Sequence, residues 1–394
     1  MKQAQLEVLP GKKTTIYGYN GITPGPTIKV RQGRKAVVRQ INSLPDISFA
    51  NYKTWTSVHL HGSDSLPQYD GYASDITNPG EFKDYHYPNN QNARTLWYHD
   101  HGVHHTSENA YMGLAGLYLT HDPHERSLGL PSGYHNPARR TGYDVPLVLR
   151  DAVFAQDGSL IFDREEEGSL FGDVILVNGR PWPRMRVERR KYRFRILNAS
   201  ISRSYKLALS SGESMTVVGT DGGLMPRPAP TGSLRVGMAE RYEVVIDFAK
   251  YKVGQSVVLK NLDLPNNREE ENTHLVMRFD VVSDATDTSN NEVPSVLNVG
   301  DHPHSPMNLD ESQAVRTRRF EFGREIVNGE EMWTINNRIW DPNRVDARPD
   351  PGDVEIWEFQ NKSGGWFHPV HIHLVDYKIL DRRDSENGTR RPPH

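Results

Sequence analysis

Apolar side chains in this sequence fall in short alternating or continuous runs, each closed off by Gly, Pro, Asn or Asp. Runs of that length and punctuation, rich in Val, Ile and Tyr, predict β-strands rather than helices. Thr27–Val30 and Ala36–Ile41 flank a Gln32-Gly33 turn, and Thr56–His61, Thr95–His101 and Leu117–Thr120 close a first unit near residue 122. The stretch 121–142, mixed in Pro, Gly, Arg and His, reads as a linker. A second unit runs through Val145–Leu149, Val174–Val177, Tyr192–Leu197, Met215–Val218 and Tyr242–Phe248 to Val276–Val282. After a polar linker from Ser283 to about Val315, a third unit begins near Phe320 and takes in Met332–Ile335, Val354–Phe359 and His371–Val375. The pattern predicts an all-β chain of three β-sandwich domains, at 1–122, 140–283 and 315–394, the third incomplete.

Composition narrows the function classes. The 394 residues are too many for one ordinary core. No apolar run approaches the roughly 20 residues that span a bilayer, so no membrane partner is expected. A net charge of -3 argues against a nucleic-acid partner held by phosphate attraction. The basic clusters Arg184-Met-Arg186 and Glu188 to Arg193 are interleaved with Val, Tyr and Phe, and read as a solvated strand face. With no cysteine, disulfides and thiolate zinc sites are excluded. The N-terminus has no apolar signal core, while Asn198, Asn361 and Asn387 head Asn-x-Ser/Thr sequons. Secretion with the leader already removed is the expectation, with a cytoplasmic or spore-coat location as the alternative.

The histidines carry the chemistry. His59-Leu-His61, His99-Asp-His101 and His371-Ile-His373 repeat one His-x-His theme, each in a segment that reads as strand. Residues i and i+2 leave a strand on the same face, so each pair points one way, and three pairs can converge on one metal cluster. Neutral imidazole suits copper, zinc, iron and nickel. One such pair is weak evidence, but three are hard to obtain by accident. A zinc hydrolase is the competing reading; no His-Glu-x-x-His helix is present, and three pairs exceed what one zinc needs. His368 has the opposite parity to His371 and His373, which points it to a second site, although Pro369 marks a strand start or edge. His104 and His105 read as part of a helical turn with Thr106–Tyr111, His104 as a support to the ligands. His86, His121, His124, His135, His274, His302, His304 and His394 are assigned no role.

With these motifs in view, the chain resembles the multicopper oxidases of the bilirubin oxidase and laccase type. The resemblance rests on Ser57 to Gly62, Asp70-Gly71, Phe82 to Tyr85, Ala93 to His101, Glu108 to Tyr111, Pro181-Trp-Pro183, Met238 to Val245 and Gly365 to Asp376, in colinear order over nearly the whole length. It implies three cupredoxin-like Greek-key domains and a copper cofactor in type 1, type 2 and binuclear type 3 sites. By the same resemblance His59 and His371 are type 2 ligands, His61, His99, His101 and His373 type 3 ligands, and His368 a type 1 ligand. Asp70 matches an acidic residue beside the trinuclear cluster, where a carboxylate relays protons; a turn Asp before Gly71 is an equally weighted reading. Trp366 is a candidate for the donor pocket, or a packing tryptophan.

One departure bears on function. The family's His-Cys-His motif, which supplies the type 1 thiolate and two type 3 imidazoles, is missing, and the sequence ends 21 residues after His373. The expected activity is one-electron oxidation of phenolic, aminophenolic or tetrapyrrole donors coupled to four-electron reduction of O2 to water. The partners are then O2 and small aromatic donors, with the protein a monomer and a separate C-terminal fragment a further candidate partner. Two alternatives stay open: a truncated, non-catalytic copper-binding remnant without the type 1 site, and a metal-ion oxidase. The nine methionines show no cluster beside a copper site, which disfavours the latter.

Overall fold

A computed structural model describes residues 1–48, 51–136, 141–162, 169–265, 267–300, 305–383 and 390–391. His302, His304, Asn387 and His394 lie outside the described residues. The chain forms two compact units: Met1–Val299 with His373–Val375, and Gly300–Ile372 with Asp376–His394. Strands dominate, as the short apolar runs require, and cupredoxin-like domains are the architecture. Among the described residues no helix is long and apolar enough to cross a membrane.

The first unit opens with β1 (Lys2–Leu6), β2 (Thr14–Gly18), β3 (Ile28–Arg31), β4 (Ala36–Ile41), β5 (Val58–His61), β6 (Phe82–Tyr87), β7 (Arg94–Asp100) and β8 (Ala115–His121). Helix α1 (Thr106–Met112) links β7 to β8, and α2 (Pro123–Ser127) follows β8. The central sheet runs β3-β8-β7-β5, with β1-β2 and β4-β6 as separate pairs. Strand β7 is buried along its whole length, on both faces. One face meets a core of Tyr17, Tyr85, Leu96, Tyr98 and Tyr118. The other meets the following sandwich.

That second sandwich holds β9 (Tyr134–Asn136), β10 (Thr141–Gly142), β11 (Asp144–Ala152), β12 (Val174–Val177), β13 (Arg180–Pro181), β14 (Arg184–Arg189), β15 (Lys191–Asn198), β16 (Tyr205–Leu209), β17 (Met215–Thr220), β18 (Gly223–Thr231), β19 (Leu234–Val236), β20 (Arg241–Asp247), β21 (Ser256–Asn261) and β22 (Leu275–Asp284). A seven-stranded sheet, β13-β12-β11-β15-β20-β17-β18, faces a five-stranded one, β14-β22-β21-β16-β19. The period-two alternation along β15 explains the layering. Tyr192, Phe194 and Ile196 enter the core between the sheets with Phe248 and Phe279. Arg193, Arg195 and Leu197 leave on the opposite face, where Leu197 packs on Trp97, Leu117 and Leu119 of the first sandwich.

The basic clusters read as a solvated face are exposed at Arg184 and Arg186, but the reading is corrected at Arg190 and Arg193. Arg190, Arg193 and Arg195 are buried. Arg195 reaches both oxygens of Asp144 (2.8 and 2.9 Å), Glu243 Oε1 (2.8 Å) and Glu125 Oε1 (2.8 Å). Arg193 joins Glu125 (2.8 Å) and Glu243. Two guanidiniums are thus matched by three carboxylates and the His121 ring, which lies 2.7 Å from Glu125. Removing one member of such a buried set costs about 3–5 kcal/mol, because its partners are left charged and dry. Asn198 is also buried, its amide donating to the Arg203 and Val236 carbonyls. That sequon is therefore spent on structure, whereas Asn361 is exposed.

In the second unit β23 (Ala314–Val327) pairs antiparallel with β24 (Glu330–Ile335) and parallel with β25 (Val354–Asn361). Asn328-Gly329, both at positive φ, make the hairpin turn. β23 starts earlier than the expected Phe320, and β25 matches the expected strand. His371–Val375 does not form the expected strand. His373 and Leu374 form a turn, with Leu374 at φ 68, and Pro369 brings no N–H to a ladder. Strand parity therefore does not apply to His368, His371 and His373. Two short strands close the chain's described part, β26 (Arg382–Arg383) and β27 (Arg390–Arg391).

Candidate metal centre

Strands β5 and β7 run antiparallel with His59 directly opposite His99 and His61 opposite Trp97. Alternation puts His59, His61, Trp97 and His99 on one face, and His101 follows one residue past the end of β7. Backbone N–H of His101 donates to Ser57 O (2.6 Å), so His101 still travels with β5. The His59 ring centre is 5.5 Å from those of His61 and His99, 5.6 Å from His101 and 4.0 Å from His373. Ring nitrogens of His59, His61 and His99 lie within 4.8 Å of one another, all buried.

Hydrogen bonding fixes the tautomers. His59 Nδ1 donates to the Asp70 carbonyl (2.6 Å) and His99 Nδ1 to the Asp100 carbonyl (2.7 Å). A carbonyl only accepts, so the proton is on Nδ1, and Nε2 is the unprotonated nitrogen in both rings. His373 Nδ1 donates to Asp70 Oδ2 (2.7 Å), with the same result. His61 Nδ1 and His99 Nε2 face each other at 3.4 Å. Nδ1 of His101 is buried with no partner. Burial lowers the His59 pKa and pushes His101 down to about 4. His59 and His101 are therefore neutral at physiological pH, the form that binds metal.

Asp70 belongs to this group by position. It is 4% exposed, and its Oδ1 lies 3.2 Å from His59 Nδ1. Burial works to raise its pKa, but the hydrogen bonds from His373 and His59 outweigh it and hold the carboxyl well below its usual range. The turn reading holds as well. Gly71 has φ 76, and a Cβ there would collide with the Val58 carbonyl. The turn is what brings Asp70 up to β5.

Two participants were not singled out in the sequence. Trp97 stacks on His99 with ring centres 4.1 Å apart and tilts against His61 at 5.3 Å. Its signal was parity, since 97, 99 and 101 share a face. Asp100, between the two histidines, points the other way. Its Oδ1 accepts from Ser57 N (2.7 Å), and Oδ2 from Asn109 Nδ2 (2.9 Å) and Gly102 N (3.2 Å). It pins β7 to the start of β5 and to α1. Burial raises its pKa to about 7 against those bonds. The helical turn expected after His101 is α1, with His105 at its N-cap, buried against Tyr52 and Trp55. His104 is exposed at φ 65, on the surface rather than behind the ligands.

His371 and His368 lie in the second unit. His368 Nε2 is 2.8 Å from Ser363 Oγ, and its ring packs against Phe322 (5.3 Å) and Trp333 (5.2 Å). Trp366 meets Trp333 edge-on at 6.0 Å, so the two tryptophans form one aromatic wall beside His368.

The chain is similar to known proteins along nearly its whole length. Three multicopper oxidase family profiles match residues 1–125, 155–276 and 301–393. The chain is 43% identical to bilirubin oxidase of Albifimbria verrucaria, over 96% of its own length and 64% of that protein's. It is 36% identical to a laccase of Bacillus subtilis, covering 94% of this chain and 76% of the laccase. Among solved structures, the McoA multicopper oxidase of Aquifex aeolicus superposes with a TM-score of 0.77 at 28% identity, over 92% of this chain and 77% of that one. Matched along its length by three multicopper oxidase profiles and by a laccase at 36% identity, the chain belongs to the multicopper oxidase family.

Proposed function

We propose that this chain works in a copper-dependent oxidase that takes single electrons from phenolic, aminophenolic or tetrapyrrole donors and delivers them to O2, giving water. The observation that carries the reading is the buried convergence of His59, His61 and His99, with their ring nitrogens within 4.8 Å. Copper is the cofactor the family implies. The donor set fits it: unprotonated Nε2 atoms on His59, His99 and His373, and a buried Nδ1 on His101.

In this reading His59 is a type 2 ligand, and His61, His99, His101 and His373 are type 3 ligands. Bound copper would store electrons and pass them to O2. The chain's own part is to orient and to move protons. Asp70 fixes the tautomers of His59 and His373, and its Oδ1 offers the acceptor at which a proton enters the site. Asp100 holds the strand ends that set the spacing of His99 and His101. Trp97 stacks on His99 and tilts against His61, which holds those rings in place. His368 serves a type 1 site, with Trp366 and Trp333 lining the approach of an aromatic donor.

A second reading is favoured by one fact: the chain has no cysteine, so His368 has no thiolate partner within it. Under that reading the chain binds copper at the imidazole cluster and does not turn over. Oxygen uptake by the copper-loaded full chain with a phenolic donor decides between them. Copper-dependent uptake without peroxide supports the oxidase. Bound copper with no uptake supports the remnant, and an absorption spectrum without an intense blue band would accompany it.

A further inference from the structure

We propose that the cleft between the end of β1 and the β12–β13 hairpin binds an amphipathic monocarboxylate, its carboxylate on Arg180 and its apolar body on Leu6, Val8 and Ile22. The cleft has a volume of ≈ 520 Å³ and is lined by Leu6, Glu7, Val8, Ile22, Thr23 and Arg180 together with the hairpin turn. That lies within the roughly 300–1,000 Å³ of small-molecule sites, which favour the seam between two domains. Here the first sandwich supplies β1 and the second supplies the hairpin. The cleft shares no residue with the imidazole cluster.

Both walls are fixed by the chain itself. Asn178, at the hairpin turn, accepts from Val148 N (2.9 Å) and donates from Nδ2 to the Pro146 carbonyl (2.9 Å). Gly179 is seated directly on Thr23, where an added Cβ would collide with the Thr23 carbonyl. Arg180 Nη1 donates to the Glu7 carbonyl (2.9 Å), which ties the hairpin to the end of β1 and holds the guanidinium at the cleft wall. A site held in this way needs little reordering when a ligand enters, which favours affinity.

Charge and surface together select the ligand. Arg180 is exposed, and no carboxylate forms an ion pair with it among the described residues. Only Nη1 is engaged there, which leaves Nε and Nη2 to receive the edge of a carboxylate, the group whose shape the guanidinium fork matches. The one acidic side chain in the lining, Glu7, turns its Oε1 to Gly11 N (3.1 Å) and does not neutralise Arg180. Beside this charge stand Val8, which is buried, Leu6, which is half-buried, and Ile22, which is 45% exposed. An alkyl tail laid over them removes apolar surface from water. Sulfate or phosphate would use Arg180 and leave the aliphatic wall wet. An alcohol would use the wall and leave Arg180 unmet. A monocarboxylate with an alkyl body uses both.

The test is isothermal titration of the full chain with hexanoate, hexan-1-ol and acetate. Hexanoate should bind saturably at one site, and the other two should bind about tenfold more weakly or worse, since each lacks one half of the recognition. Arg180→Met keeps the length of the side chain and should lose the preference for hexanoate over hexan-1-ol. Ile22→Asp places a like charge beside the ligand and should abolish hexanoate binding. Crystals soaked in 6-bromohexanoate should show an anomalous bromine peak in the cleft, with the carboxylate on Arg180. No saturable hexanoate binding, acetate or hexan-1-ol binding as tightly as hexanoate, a preference that persists in Arg180→Met, or bromine only at other places would each overturn the proposal. If Arg180→Met does not fold, Ile22→Asp and the wild-type crystals decide.

Discussion

Asp70 and His373 are 303 residues apart in sequence and 2.7 Å apart in the structure, carboxylate oxygen to ring nitrogen. The same carboxylate sits 3.2 Å from His59 Nδ1. One residue thus sets the proton position on two rings from distant parts of the chain, on His373 through its carboxylate and on His59 through its backbone carbonyl.

Replacing it separates charge from geometry. Asp70→Asn keeps an oxygen for the His373 Nδ1–H, and copper affinity should fall by less than tenfold. Asp70→Ala removes the acceptor, and affinity should fall about 10–100-fold. Competition titration against a chromophoric copper chelator reads both. Equal loss in the two variants would assign the effect to charge rather than to orientation.

His59→Ala should lower copper bound per chain after dialysis, since His59 is central to the buried set. His86→Ala is the control: that ring is exposed and rests on Tyr69 at 4.7 Å. Metal content unchanged in His59→Ala would sink the assignment of the cluster.

Asp100→Ala strips the acceptor from Ser57 N, Gly102 N and Asn109 Nδ2, all at a buried site. Leaving such donors unmet costs about 1–3 kcal/mol each, so unfolding should shift to clearly lower denaturant. The amides of Ser57 and Gly102 should exchange faster with solvent deuterium. Protection unchanged at both would show that other groups hold the strand ends.

Glu125→Gln should cost about 3 kcal/mol at neutral pH. Burial works to raise the Glu125 pKa, but Arg195 and Arg193 outweigh it and hold the carboxyl far below its usual range. A depressed folded-state pKa means that the unfolded chain binds the extra proton first. The stabilisation is therefore complete above about pH 4.3, the free glutamate value, and declines as the pH falls below it. Urea unfolding from pH 6 down to pH 3 should find a gap between wild type and Glu125→Gln that narrows with acidity. A gap that widens would reverse the sign and refute the account.

Period two made the first-unit histidines legible, because β5 and β7 are regular strands whose alternate residues share a face. Two features escaped that logic. The His371–His373 segment looks like a strand by composition, but Pro369 and the turn at Leu374 deny it a ladder. Arg193 looked solvated because its counter-charges come from distant parts of the chain, Glu243 lying 50 residues away and Glu125 in the first sandwich. Local pattern reports which face a side chain leaves by. It does not report what waits on that face, and here the answer was another sandwich.

The matched charges between β15 and α2 also bear on how this chain can be recombined. Thr95 and Glu125 come from the first sandwich, and Arg193, Arg195 and Glu243 from the second. A chimera that imports one sandwich from a relative with an apolar residue at position 125 inherits two guanidiniums against two carboxylates, sealed from water. The exchangeable module is therefore the pair, residues 1–284, whose crossover points belong after β22 and not in the linker at 121–142.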